Sequence, residues 1–140
     1  MIHVTRRYRF SASHRLHSSR FSDAENIELY GKCNNPFGHG HDYMLDIGVE
    51  GPIDPTTGLA VNVEKLDRLV QESVLMDFDH RNLNEDVHEF ASAVPTSENI
   101  VAAIEQRLRR RWRSVFAGDW PRLKELRLQE TKRNRFELRT

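Results

Sequence analysis

The stretch from Gly38 to Glu50 constrains this chain more than any other. His39, His41, Tyr43, Leu45, Ile47 and Val49 occupy alternate positions, with Gly40, Asp42, Met44, Asp46, Gly48 and Glu50 between them. A period of two describes an extended strand with one buried face. It sends both imidazoles to the side that carries the apolar residues, which a helix could not do for residues two apart. Two converging imidazoles are half of a metal site. The only cysteine, Cys33, lies just upstream, where it is either a further ligand or a nearby acid–base group.

A second alternating run supplies the missing histidine. Ile2, Val4, Tyr8, Phe10 and Ala12 share a face, interrupted at Arg6, and His14 is the next member of that face. If the two strands pair antiparallel, the end of the first lies beside the start of the second, and His14 meets His39 and His41. Three imidazoles suit zinc in a catalytic site that keeps a fourth position open, with iron or copper as alternatives. One thiol is too few for the usual structural zinc site. Cys33 therefore reads as a proton-carrying thiol beside the metal, or else as an inert buried one.

The rest of the chain frames these two strands. Residues 15–38 form an irregular excursion with a short helix announced by Ser22 and Glu25, closed by the turn formers Asn34, Asn35, Pro36 and Gly38. Asn62 caps a helix that buries Val63, Leu66, Leu69, Val70 and Val74 and is expected to stop near Met76. Residues 77–95 make a long connection containing Asp79 and His80, read as a solvated loop or a functional one. A second helix is announced by Pro95-Thr-Ser-Glu-Asn99, buries Ile100, Ala103, Ile104 and Leu108, and becomes basic from Arg107 to Arg113. Leu126 and Leu128 then alternate into a third strand, with Glu130 next on their face, and Phe136 and Leu138 mark a fourth. Glu130 either sits at a solvent-exposed edge or points inward, where a carboxylate must be paired or bind a guanidinium-like edge such as that of a pterin or guanine. Two strands, two helices and two strands predict an α+β fold: a four-stranded antiparallel sheet with two helices on one face.

Composition narrows the function classes. At 140 residues the chain is expected to form one domain, 1–140. Lys+Arg and Asp+Glu both number 21, so the net charge is zero and nothing favours nucleic acid or an anionic membrane as partner. The arginines of the second helix are accounted for by the helix dipole. No apolar run approaches the roughly 20 residues of a bilayer span. With no signal-peptide core and a single cysteine, the expected location is cytoplasmic.

Seven ordered motifs together resemble the 6-pyruvoyl/6-carboxytetrahydropterin synthase family: Phe10-Ser-Ala-Ser-His-Arg-Leu16, Gly31-Lys-Cys-Asn-Asn-Pro36, Gly38-His-Gly-His41, Ile53-Asp-Pro-Thr-Thr-Gly58, Asp79-His-Arg-Asn-Leu83, Thr96-Ser-Glu-Asn99 and Glu130-Thr131. The resemblance implies a tunnelling fold, a homohexamer built as a dimer of trimers, and active sites between subunits, so that Asp79 and His80 serve a neighbour's Cys33. It implies that His14, His39 and His41 hold Zn2+, that Cys33, Asp79 and His80 are catalytic, and that Glu130 anchors the pterin with Thr96 and Ser97 lining the pocket. The implied reaction converts 7,8-dihydroneopterin triphosphate to 6-pyruvoyltetrahydropterin and triphosphate, within tetrahydrobiopterin biosynthesis. Two alternatives share the fold: a 6-carboxytetrahydropterin synthase of deazaguanine (queuosine) biosynthesis, and a non-catalytic pterin or purine binder. The five residues between Cys33 and His39 resemble the pyruvoyl branch.

Overall fold

The computed structural model describes residues 1–140. Strand β1 (Ile2–His14) pairs antiparallel with β2 (His39–Gly51), with Ala12 opposite His41 and His14 opposite His39. Strand β4 (Arg122–Gln129) lies on the other side of β2, and β5 (Arg135–Arg139) pairs with β4, both antiparallel. These four strands follow the alternation read from the sequence. The buried members are Phe10, Ala12 and His14 on β1, then Tyr43, Leu45, Ile47 and Val49 on β2 and Leu126 and Leu128 on β4.

The expected four-stranded antiparallel sheet is nevertheless incorrect. The sheet has five strands in the order β3-β1-β2-β4-β5 and is mixed, because the two-residue strand β3 (Arg81–Asn82) runs parallel to β1 at Ala12 and Ser13. The physical reason lies at the outer edge of β1, whose backbone groups would otherwise lack partners. His80 N–H donates to the Ser11 carbonyl at 2.6 Å, and the Asp79 carboxylate accepts from Ser11 N–H at 2.9 Å. The connection is thereby zipped onto that edge.

The helical complement also exceeds two. Helix α1 (Asp23–Tyr30) carries the reciprocal Ser22–Glu25 capping box, and a 3-10 turn over Gly31–Asn34 follows it. Helix α2 (Val63–Val70), capped by Asn62, widens into a π turn over Gln71–Leu75 and tightens again as α3 (Met76–Phe78). The connection beyond contains α4 (Leu83–Asp86) and a 3-10 turn over His88–Ala91. Helix α5 (Ser97–Val115) is the longest, and the Thr96 hydroxyl caps it by accepting from Asn99 N–H. Leu66, Leu69, Ile100, Ile104 and Leu108 are fully or almost fully buried in the same core as the sheet residues Leu45, Ile47 and Leu126. Arg6, which interrupts the apolar face of β1, forms a bidentate pair with Asp67 of α2 at 2.9–3.0 Å, and Tyr8 donates to the same carboxylate.

Two contacts set the start of β2. Leu16 N–H donates to the Cys33 carbonyl at 2.9 Å, and the buried Asn34 side chain donates to the Leu16 carbonyl at 2.7 Å, so the Cys33 turn is tied back to the end of β1. Gly38 then turns the chain with φ of +73°, and a Cβ there would lie 3.0 Å from the His14 carbonyl oxygen. Only glycine combines that backbone conformation with that approach. Gly38→Ala is therefore expected to lower stability by about 1–3 kcal/mol and to weaken metal binding through displacement of His39. Chemical denaturation alongside a zinc titration checks both effects, and an unchanged affinity would show that Gly38 does not place the site.

Candidate functional site

The antiparallel register brings three imidazoles together at one end of the buried face. One ring nitrogen from each of His14, His39 and His41 lies within 4.8 Å of the others. His14 is 1% exposed and its neighbours are half-buried. His14 Nδ1 is 2.8 Å from the carbonyl oxygen of Pro95. A carbonyl only accepts, so this nitrogen carries the proton and Nε2 keeps its lone pair. That Nε2 stands 3.2 Å from His39 Nε2. Two nitrogens bound at about 2.05 Å to one tetrahedral zinc would lie roughly 3.3 Å apart, so the pair has the spacing of shared ligands.

Burial and charge favour the same use. Burial first, and then the neighbouring imidazoles, lower the pKa of His14, although its bond to Pro95 opposes the shift; burial and then His41 lower that of His39. Both are neutral at physiological pH, as ligands must be. His41 Nε2 is buried without a hydrogen-bond partner, which is unfavourable unless something else takes up its lone pair. The residues fit a divalent cation held by three imidazoles.

Glu130 stands immediately after β4 and points inward, its side chain 16% exposed and its Oε1 3.6 Å from His41 Nε2. The Ser97 hydroxyl donates a very short hydrogen bond to the other carboxylate oxygen. The entry to helix α5 thus touches the site twice, through the Pro95 carbonyl ahead of the cap on His14 and through Ser97, the first helical residue, on Glu130. Thr96 is the cap between them and does not contact the carboxylate. Cys33 is half-buried on its turn, and burial, followed by the negative charge of Glu130, raises its thiol pKa. A cation among the histidines would act in the opposite direction.

Asp79 and His80 do not join this cluster within the chain. The His80 side chain is 82% exposed and lines a cleft at the β1–β2 end with Ser11, Ser13, His41 and Asp42, without entering the cluster of three histidines. Its Nε2 lies 3.7 Å from the Asp79 carboxylate, too far for a hydrogen bond, while Asp79 is committed to Ser11 N–H. His80 is also the only non-glycine residue with positive φ, at 59°.

Two participants escaped the sequence reading. Tyr43 is fully buried with its hydroxyl 3.5 Å from His14 Nδ1, and it was legible as the next member of the His39–His41 face. The Pro95 carbonyl carried no signal, since a backbone acceptor is not marked by residue type.

The lowered pKa values of His14 and His39 have a consequence for stability. The unfolded chain takes up protons near the ordinary histidine value of 6.5, before the folded one does, so folding stability rises with pH in this range. Their contribution is present above pH 6.5 and is lost as pH falls through the lowered folded values. Urea midpoints of the chelator-treated protein are expected to decline as pH drops from 7.5 towards 5, less steeply for His14→Gln. A flat profile, or one unaffected by that substitution, would contradict the burial assigned to these imidazoles.

Comparison with known proteins agrees with this geometry. The family model described as "6-pyruvoyl tetrahydropterin synthase" matches residues 3–140. A 6-pyruvoyl tetrahydrobiopterin synthase of Poecilia reticulata is 50% identical over 102 residues, covering 73% of this chain and 69% of that protein. The Homo sapiens protein of the same name is 48% identical over 107 residues, covering 76% and 74%. The solved structure of Caenorhabditis elegans 6-pyruvoyl tetrahydropterin synthase superposes with a TM-score of 0.89 at 40% identity, over 99% of this chain and 95% of that one. The chain belongs to the 6-pyruvoyl tetrahydropterin synthase family.

Proposed function

We propose that this chain is the lyase that converts 7,8-dihydroneopterin triphosphate to 6-pyruvoyltetrahydropterin and triphosphate, acting as a single pterin-synthase domain over residues 1–140. The observation that carries the reading is the gathering of three metal-competent imidazoles, an inward carboxylate and the one thiol at the same end of the β1–β2 face. Its chemical demand is proton movement without an external electron carrier. The hydrogens of the C1′ carbinol are relocated to ring positions C6 and N5, which makes the C1′ ketone and reduces the ring. Loss of the C2′ proton with departure of triphosphate then leaves an enol that becomes the C2′ ketone.

Zinc held by His14, His39 and His41 would supply Lewis acidity to the side-chain oxygens. Glu130, oriented by Ser97, accepts hydrogen bonds from the 2-amino and ring N–H edge of the pterin, with Thr96 and Ser97 lining that pocket. Cys33 carries protons to and from the side chain, its thiolate favoured by the nearby cation. His80, beside Asp79, returns a proton to the developing product.

The exposure of His80, outside the histidine cluster, supports a site completed between copies, and the family resemblance gives that assembly as a homohexamer built as a dimer of trimers. No helix is long and apolar enough to cross a membrane. A lone thiol used as a proton carrier fits a reducing, cytoplasmic setting.

Incubation of the zinc-loaded protein with the triphosphate substrate, without reductant, followed by mass spectrometry, is expected to yield the pyruvoyl product and free triphosphate. Cys33→Ala should lower kcat by about 10²–10⁴-fold. A carboxylated pterin with acetaldehyde would assign the chain to the carboxy branch instead, and undiminished turnover by Cys33→Ala would remove the thiol's role.

A further inference from the structure

The basic run on α5 is not a free cationic surface at its start. Arg111 pairs with Glu72 at 2.7 Å and Arg109 with Glu105 at 3.4 Å, both solvent-facing contacts. Arg107 is different. Its side chain is only 14% exposed, and it joins three segments far apart in sequence. Nε and Nη2 grip the Glu89 carboxylate at 2.6 and 2.7 Å, while Nη1 reaches Asp77 at 2.5 Å and the Ser73 carbonyl at 3.1 Å. The guanidinium carbon also lies 5.0 Å from the centroid of Phe78. Phe78 packs edge-on against Phe10, and Phe10 stacks on Tyr43.

These contacts bracket Asp79 and His80. Asp77 and Phe78 come immediately before the pair, and Glu89 lies on the 3-10 turn that follows it. His80 holds a positive φ that a non-glycine residue keeps only where its surroundings determine it. From the sheet side it is fixed by Ser11. From the helix side Arg107 bridges both flanks of the connection through its ion pairs to Asp77 and Glu89, beside the edge-on contact of Phe78 with Phe90.

We propose that Arg107 is a positioning residue that sets where Asp79 and His80 are presented. This rests on the proton-transfer role proposed above for that pair. Arg107 touches no substrate; it acts through the segment it clasps. Lysine cannot replace it, because a single ammonium cannot hold Glu89 through two parallel bonds while also reaching Asp77 and Ser73.

Two readouts test this on the zinc-loaded protein. Amide hydrogen exchange over residues 77–82 is expected to quicken about tenfold or more in Arg107→Ala, with the β1–β2 pairing unchanged, as for local rather than global opening. Turnover should fall about tenfold to a hundredfold with KM little altered, and Arg107→Lys should recover only part of it. In a His80→Ala background, Arg107→Ala should cause no further loss of kcat, because the two changes act on one step. Unchanged exchange, or losses that multiply fully in the double variant, would overturn the proposal. If the wild-type protein makes no pyruvoyl product, the functional reading fails and the exchange measurement still decides the positioning claim. Should Arg107→Ala not fold, Asp77→Ala, on the exposed side of the clasp, carries the same two tests.

Discussion

Everything in this structure depends on the register between β1 and β2. Leu45, Ile47 and Val49 are fully buried along β2, each worth roughly 1.5–3 kcal/mol relative to exposure. A slip of one residue would turn all of them to the opposite face. The hydrophobic effect therefore selects one pairing, and that pairing places His14 opposite His39. A sheet register enforced by apolar residues in the middle of the strands fixes polar ligands at their ends.

Helix α5 adds a second level of organisation. The Pro95 carbonyl just before its cap reaches the histidine cluster and its first residue, Ser97, reaches the carboxylate, so one helix start orients both a histidine tautomer and the candidate pterin anchor. Three turns later the same helix holds the Asp79–His80 connection through Arg107. A helix that looks merely amphipathic with a basic end is the scaffold for three separate parts of the proposed site. Cys33 is placed independently, by the hydrogen bonds that tie its turn to Leu16.

Much of this was legible in the residues. Period-two alternation located β1 and β2 and gave the histidine convergence, and the capping signals at Ser22 and Asn62 and the stretch Pro95-Thr-Ser-Glu-Asn99 fall where helices begin. Of the two orientations open for Glu130 it takes the inward one, continuing the Leu126–Leu128 face. Strand β3 was not legible: two residues carry no periodicity, and its pairing depends on the unsatisfied edge of β1. The π turn at Gln71–Leu75 has no composition signal either. The work of Arg107 was hidden because its partners lie 18 to 34 residues away, and a local reading sees only a run of like charges near a helix end.

The proposed site divides its labour: three imidazoles would hold the metal, and Cys33 would stay free to move protons. X-ray absorption at the zinc edge of the loaded protein tests this directly. The expected first shell holds nitrogen and oxygen scatterers at about 2.0–2.1 Å and no sulfur. A sulfur scatterer at about 2.3 Å, lost in Cys33→Ala, would make the cysteine a ligand and contradict the account.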